Sequence, residues 1–198
     1  MNSILKRKIV TQNLYKGESV LRDFNTQYPY IKSNTKYNHL INLHKDNKKY
    51  SNLIPLIKGK SILAGFVIDQ IRNTYKQTTD KITYLKNAVK YQKTANCQEC
   101  AFLVHNKLSE MGVPAQNVRM NFVTKGTGKI PKNHAFTVIG LRNDADITRP
   151  NTWGKDAVIV DAWANTVKRA QDGIRYIKEL FNYNPEKEDC IFSYHRNK

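Results

Sequence analysis

Hydrophobic positions are sparse over the first quarter of the chain and become regular after it. Residues 1 to about 55 are polar and basic, rich in Asn, Lys and Tyr, with few apolar positions at any fixed period. From Ser61 to Tyr75, Leu63, Phe66, Val67, Ile68 and Ile71 recur at helical spacing and predict an amphipathic or buried helix. A second helix is predicted over Asp80 to Gln92, with Ile82, Leu85, Ala88 and Val89 on one side. A third begins near Asn96, carries Cys97, Ala101, Val104, Leu108 and Met111 on one stripe, and ends at Gly112 and Pro114. The period then falls to two. Strands are predicted near Val118 to Val123, over Asn133 to Gly140 and over Ala157 to Trp163, the last read as central because it is the most apolar. Lys125 to Lys129 is a glycine-containing turn of hairpin type, and Arg142 to Lys155 is a polar connection with an exposed Trp153. Thr166 is read as the cap of a last helix, Val167 to Phe181, with Ile174, Ile177, Leu180 and Phe181 buried, and Ile191 to Tyr194 as an edge strand. Helices first and an antiparallel sheet afterwards make the fold class α+β. The expected organisation is a basic N-terminal segment, residues 1–55, packed on the core or used for export and docking, followed by a single domain over 56–198.

The third helix has the most informative start. Asn96 is a favoured N-cap, and Glu99 stands three residues on, where it can reach back to the Asn96 amide as in a capping box. Cys97 therefore occupies about the first helical position, beside unpaired amides and the positive end of the helix dipole. Both favour thiolate over thiol. On the predicted strands downstream, His134 shares a face with Phe136 and Val138, and Asp161 lies within an apolar run where an unpaired carboxylate is costly. A histidine N–H on the neighbouring strand is the natural partner for Asp161. It would fix the ring tautomer and leave the other nitrogen to exchange a proton with Cys97.

Asn96-Cys97-Gln98-Glu99-Cys100-Ala101, His134-Ala135-Phe136 and Val160-Asp161-Ala162-Trp163 together resemble the papain/transglutaminase-like cysteine enzymes, in particular the bacterial effector and toxin domains that deamidate glutamine in host proteins. The likeness covers roughly residues 90 to 165. It departs from the family pattern at Ala162, where Pro is common, and in the second thiol at Cys100. The resemblance implies Cys97 as nucleophile, His134 as base and Asp161 as its orienter, on a core where the nucleophile helix packs against an antiparallel sheet. It implies no cofactor and no metal. Proteases, acyltransferases, transglutaminases and deamidases share this triad, so the reaction on the acyl-enzyme stays open.

Other readings of the same residues compete. For Cys97 the alternative is a buried inert thiol, for His134 a hydrogen-bonded core histidine, and for Asp161 a strand-end carboxylate capping a turn. Cys97-x-x-Cys100 as a zinc site would need ligands from His105, His134 or Cys190, and no second tight pair exists. As a dithiol redox motif it should follow a strand, whereas a helix precedes it. The Cys97 amide is the expected first oxyanion donor and the Gln92 side chain the one considered for the second. His39, His44, His105 and His195 lack a partner pattern, and Cys190 is read as filling a late strand.

Composition changes the picture in one respect. The 198 residues carry a net charge of +17, from 33 basic and 16 acidic side chains. Lysine supplies 24 of the 33 and arginine 9, spread along the chain without a dense block, so no nucleic-acid partner is expected. The field suits a protein substrate with an acidic surface or an anionic membrane surface. A non-catalytic basic binding module remains the rival of another class. Three cysteines do not make a disulfide framework and point to a reducing compartment. Mean hydropathy is −0.62, the longest apolar stretch is far short of a membrane span, and the basic start has no apolar core of signal length. The expected location is the cytoplasm of the producing cell, with export to a host by a route that uses no Sec-type signal.

Overall fold

The computed structural model describes residues 3–44 and 46–195; the side chains of residues 3–8 and of His39, Leu43 and Ser51 lie outside the description. It is α+β, with six α-helices and one five-stranded antiparallel sheet among the described residues. The helices are α1 (Ser3–Gln27), α2 (Asn34–His44), α3 (Ile54–Gln77), α4 (Lys81–Gln92), α5 (Cys97–Glu110) and α6 (Ala170–Leu180). The strands are β1 (Ala115–Thr124), β2 (Lys132–Ile139), β3 (Val158–Asp161), β4 (Thr166–Arg169) and β5 (Glu188–Tyr194), in the order β4-β3-β2-β1-β5. The chain forms two compact units, one made of residues 1–25 with 100–198 and the other of residues 26–99. The boundary expected near residue 55 falls inside the second unit, between the 3-10 turn Lys48–Leu53 and α3.

In the first unit the sheet has a helical layer on each face. Val118, Met120 and Phe122 of β1, Phe136 and Val138 of β2, Ile159 of β3 and Phe192 of β5 point to one face. Ile177 of α6, with Ile147 and Trp153 of the β2–β3 connection, closes over them. Gly173 lets α6 approach, since a Cβ there would sit 2.9 Å from Ile159 Cδ1. The opposite face takes α1 and α5. Gly17 of α1 lies so close to β3 and β4 that a Cβ would come 2.9 Å from Val160 and 2.8 Å from Val167. The Thr137 hydroxyl of β2 donates to the Ala101 carbonyl of α5 at 3.0 Å, and Lys107 of α5 pairs with Asp23 of α1. Two helices therefore stand on the Thr137/Val160 face and one on the Phe136/Ile159 face.

The second unit is helical. Ser61 of α3 bonds the Asn34 carbonyl and the Asn38 side chain of α2, and Ala64, Ile68 and Ile71 form the buried side of α3. Asp80 caps α4 by accepting from Thr83 N, and α4 ends on Lys93 in the left-handed region, with φ 50°. Residues after it pair with the chain before α2: Lys32 N donates to Lys93 O at 2.7 Å and Ala95 N to Lys32 O at 3.0 Å.

Several local expectations change. Trp153 is wholly buried, its indole N–H donating to the Asp146 carbonyl. Thr166 does not cap a helix: Thr166 and Val167 pair with Asp161 and Val160 as β4, and α6 starts at Ala170. β-branched residues fit that edge ladder better than a first helical turn. β3 is interior but not central, a place taken by β2. Leu63 and Phe66 lie on the exposed side of α3, and Met111 lies beyond the end of α5.

Candidate active site

Cys97 opens α5 in the second unit, and its surroundings there are built by hydrogen bonds. The Asn96 amide donates to Glu99 Oε2 at 3.0 Å, the reach-back arm of the capping box. Asn96 Oδ1 accepts from Ser33 Oγ at 2.7 Å and Thr35 Oγ1 at 3.2 Å, which ties the approach to α5 onto the start of α2. Arg72 of α3 grips Glu99 with two bonds, Nε to Oε1 at 2.8 Å and Nη2 to Oε2 at 3.3 Å. Burial works against the Arg72 charge, but the hydrogen bond and charge of Glu99, then the charges of Cys97 and Asp69, outweigh it and raise its pKa further. The Cys97 residue is 9% exposed and Cys100 only 2%.

His134 and Asp161 belong to the first unit and are brought together. His134 Nε2 and Asp161 Oδ2 are 2.5 Å apart, with neither side chain open to solvent. The other Asp161 oxygen accepts from the Ala164 amide at 2.9 Å, so the turn after β3 holds the carboxylate in place. Trp163, Phe181 and Phe136 surround the imidazole at centroid distances of 5.0, 5.3 and 6.1 Å. An ionised carboxylate only accepts, so a bond to the ionised form of Asp161 requires the proton on Nε2.

The register fixes which way the ring points. β2 runs without a bulge from Lys132↔Phe122 to Ile139↔Ala115, so His134 shares the face of Phe136. Thr137, which bonds Ala101 of α5, is on the other. Gln92, considered as an oxyanion donor, is the exposed last residue of α4 and lines a cleft of about 590 Å³ between α3 and α4 with Val67, Tyr84 and Tyr91. His195 is buried and stacks on Phe102 of α5, while His44 packs against Tyr50. Cys190 lies in β5, its thiol pushed up to about 11 by burial. No group of three or more His, Cys, Asp or Glu among the described residues is placed to hold a metal ion.

The sequence reading missed Arg72, Ser33 and Thr35. The available signal was Glu99: a carboxylate in a helix's first turn with apolar neighbours calls for a cation, yet nothing in the sequence selects Arg72. No protein-family model, curated protein or solved structure matches the chain.

Proposed function

We propose that the protein is a cysteine-dependent hydrolase of protein carboxamides, most plausibly a protein-glutamine deamidase of effector type, working through Cys97, His134 and Asp161. The buried His134–Asp161 bond carries the reading, because it holds an imidazole against a carboxylate on the strand expected to bear the base. The Glu99 reach-back to the Asn96 amide at the start of α5 adds support at the nucleophile. In the reaction the Cys97 sulfur bonds to the side-chain carbonyl carbon, and the developing oxyanion is met by the Cys97 amide. The protonated His134 gives its proton to the leaving nitrogen, which departs as ammonia and leaves a thioester. Water then loses a proton to His134, attacks the thioester carbonyl and releases glutamate and the thiol. An amine in place of water makes the product a cross-link, and a backbone amide in place of the side chain makes it a cleavage. Turnover takes place in a reducing compartment, on a substrate whose acidic surface matches the +17 charge.

A second reading has its own observation. His134 is fully buried on the sheet face that α6 covers, as a structural imidazole–carboxylate pair would be. On that reading the chain is a binding module without turnover.

Mass analysis of proteins from a eukaryotic lysate, incubated with wild type or Cys97→Ala, separates the two. A gain of about one dalton at single glutamines, present with wild type and absent with the variant, is the expected outcome. No Cys97-dependent deamidation, cleavage or cross-link in any of several lysates contradicts the enzyme.

A further inference from the structure

Helix α3 is apolar on more sides than the second unit covers. Ala64, Ile68 and Ile71 are buried with Ser61, while Leu56, Ile62, Leu63 and Phe66 remain 57%, 75%, 63% and 60% exposed. A helix apolar all round is ordinarily buried all round, and one bare stripe of this kind marks a surface that meets something. At about 100° per residue the four bare residues, with Gly59 among them, form one continuous stripe. Nothing stands within 4 Å of a Cβ built on Gly59, so the stripe is open at its middle.

Charge identifies the occupant. Lys58 and Lys60 are exposed and fall on either side of the stripe, one beyond Ile62 and one beyond Leu56. The exposed Lys48 and Lys49 and the half-exposed Leu53 precede it in the 3-10 turn. Residues 47–68 thus hold four lysines and no acidic side chain. The ridge is convex, with large aliphatic and aromatic tips projecting between long cationic stems. That shape sinks into a soft interface, where lysine heads reach outward to anionic headgroups. The net charge of +17 adds long-range attraction to the same surface.

We propose that the Leu56–Phe66 face of α3 is a peripheral membrane-binding surface for anionic phospholipid, with Leu63 and Phe66 entering the acyl boundary and Lys58 and Lys60 at the headgroups. The face lies in residues 26–99 and is independent of the hydrolase reading.

Flotation of the full chain with phosphatidylcholine vesicles, with and without phosphatidylserine, tests it. The wild type binds the phosphatidylserine vesicles, and added salt weakens that binding. Leu63→Ser with Phe66→Ser, and separately Lys58→Glu with Lys60→Glu, each lower the partition coefficient about tenfold or more. Lys155→Glu with Lys187→Glu changes net charge equally on the other unit and keeps most of the binding. Phe66→Trp, a conservative change, gives a blue-shifted emission when phosphatidylserine vesicles are added. Absence of vesicle binding, equal loss in the Lys155 and Lys187 pair, or no shift from Phe66→Trp overturns the proposal. So does a self-association or acidic-protein complex that Leu63→Ser with Phe66→Ser abolishes while vesicle binding stays unchanged.

Discussion

Asp161 holds the His134 imidazole with one oxygen and the turn after β3 with the other, so an amide cannot replace it silently. In Asp161→Asn the remaining oxygen can keep the Ala164 amide, and the new NH2 then faces Nε2. The imidazole must carry its proton on Nδ1, the atom meant to take one from sulfur. Turnover is expected to fall on the order of 10⁴-fold, with the melting temperature little changed because both hydrogen bonds survive, the one to His134 with donor and acceptor exchanged. Steady activity in that variant would remove His134 from the mechanism. Glu99→Ala makes a different prediction. It strips two bonds from Arg72 and one from the Asn96 amide, and should cost about 1–3 kcal/mol in urea unfolding, at the low end because Arg72 is part exposed. Cys190 supplies a pH test. Its pKa rises from 9.0 in the ordinary case to about 11, so the native state keeps the proton longer than the unfolded chain. That contribution to stability is whole below pH 9.0 and is lost as pH climbs towards 11. Cys190→Ser should flatten the fall in melting temperature over that window. At this scale the Glu99 reach-back to Asn96 was legible because the two lie within four residues, while the Asn96 oxygen turns to Ser33 and Thr35 and Arg72, 25 positions before Cys97, leaves no local mark.

Among elements, those with a long, clean period were legible. α4, α5, the β1–β2 hairpin and the β5 edge all lie where the pattern of apolar positions puts them. The first 55 residues were not, although α1 and α2 both fall there: their apolar positions are few and spread thin, and α1 is held by isolated anchors such as Val20 and Phe24. Gly17, a poor helix former, acts inside α1 as a packing notch against Val160 and Val167. Trp153 was misread because its neighbours are polar. The connection folds back and inserts the indole into the core against Phe192. Trp153→Ala should therefore destabilise the protein by about 3–5 kcal/mol, as a buried aromatic does, and a melting temperature within a degree or two of wild type would show the ring to be dispensable. β4 was absorbed into the helix after it because four residues are too few to establish a period.

On the scale of the whole molecule, the sheet gives the His134–Asp161 pair a rigid mount between two helical layers, and the helical unit of residues 26–99 prepares the start of α5. No helix among the described residues is long and apolar enough to cross a membrane. The proposed chemistry makes the reactivity of Cys97 depend on His134, and that dependence can be measured directly. Timed alkylation by iodoacetamide near neutral pH, read at each cysteine by peptide mass, compares wild type with His134→Ala under conditions where both are folded. The account predicts that Cys97 reacts at least about tenfold faster than Cys190 and slows by a similar factor when His134 is removed. A Cys97 that reacts no faster than Cys190, or that reacts equally fast without His134, would contradict it.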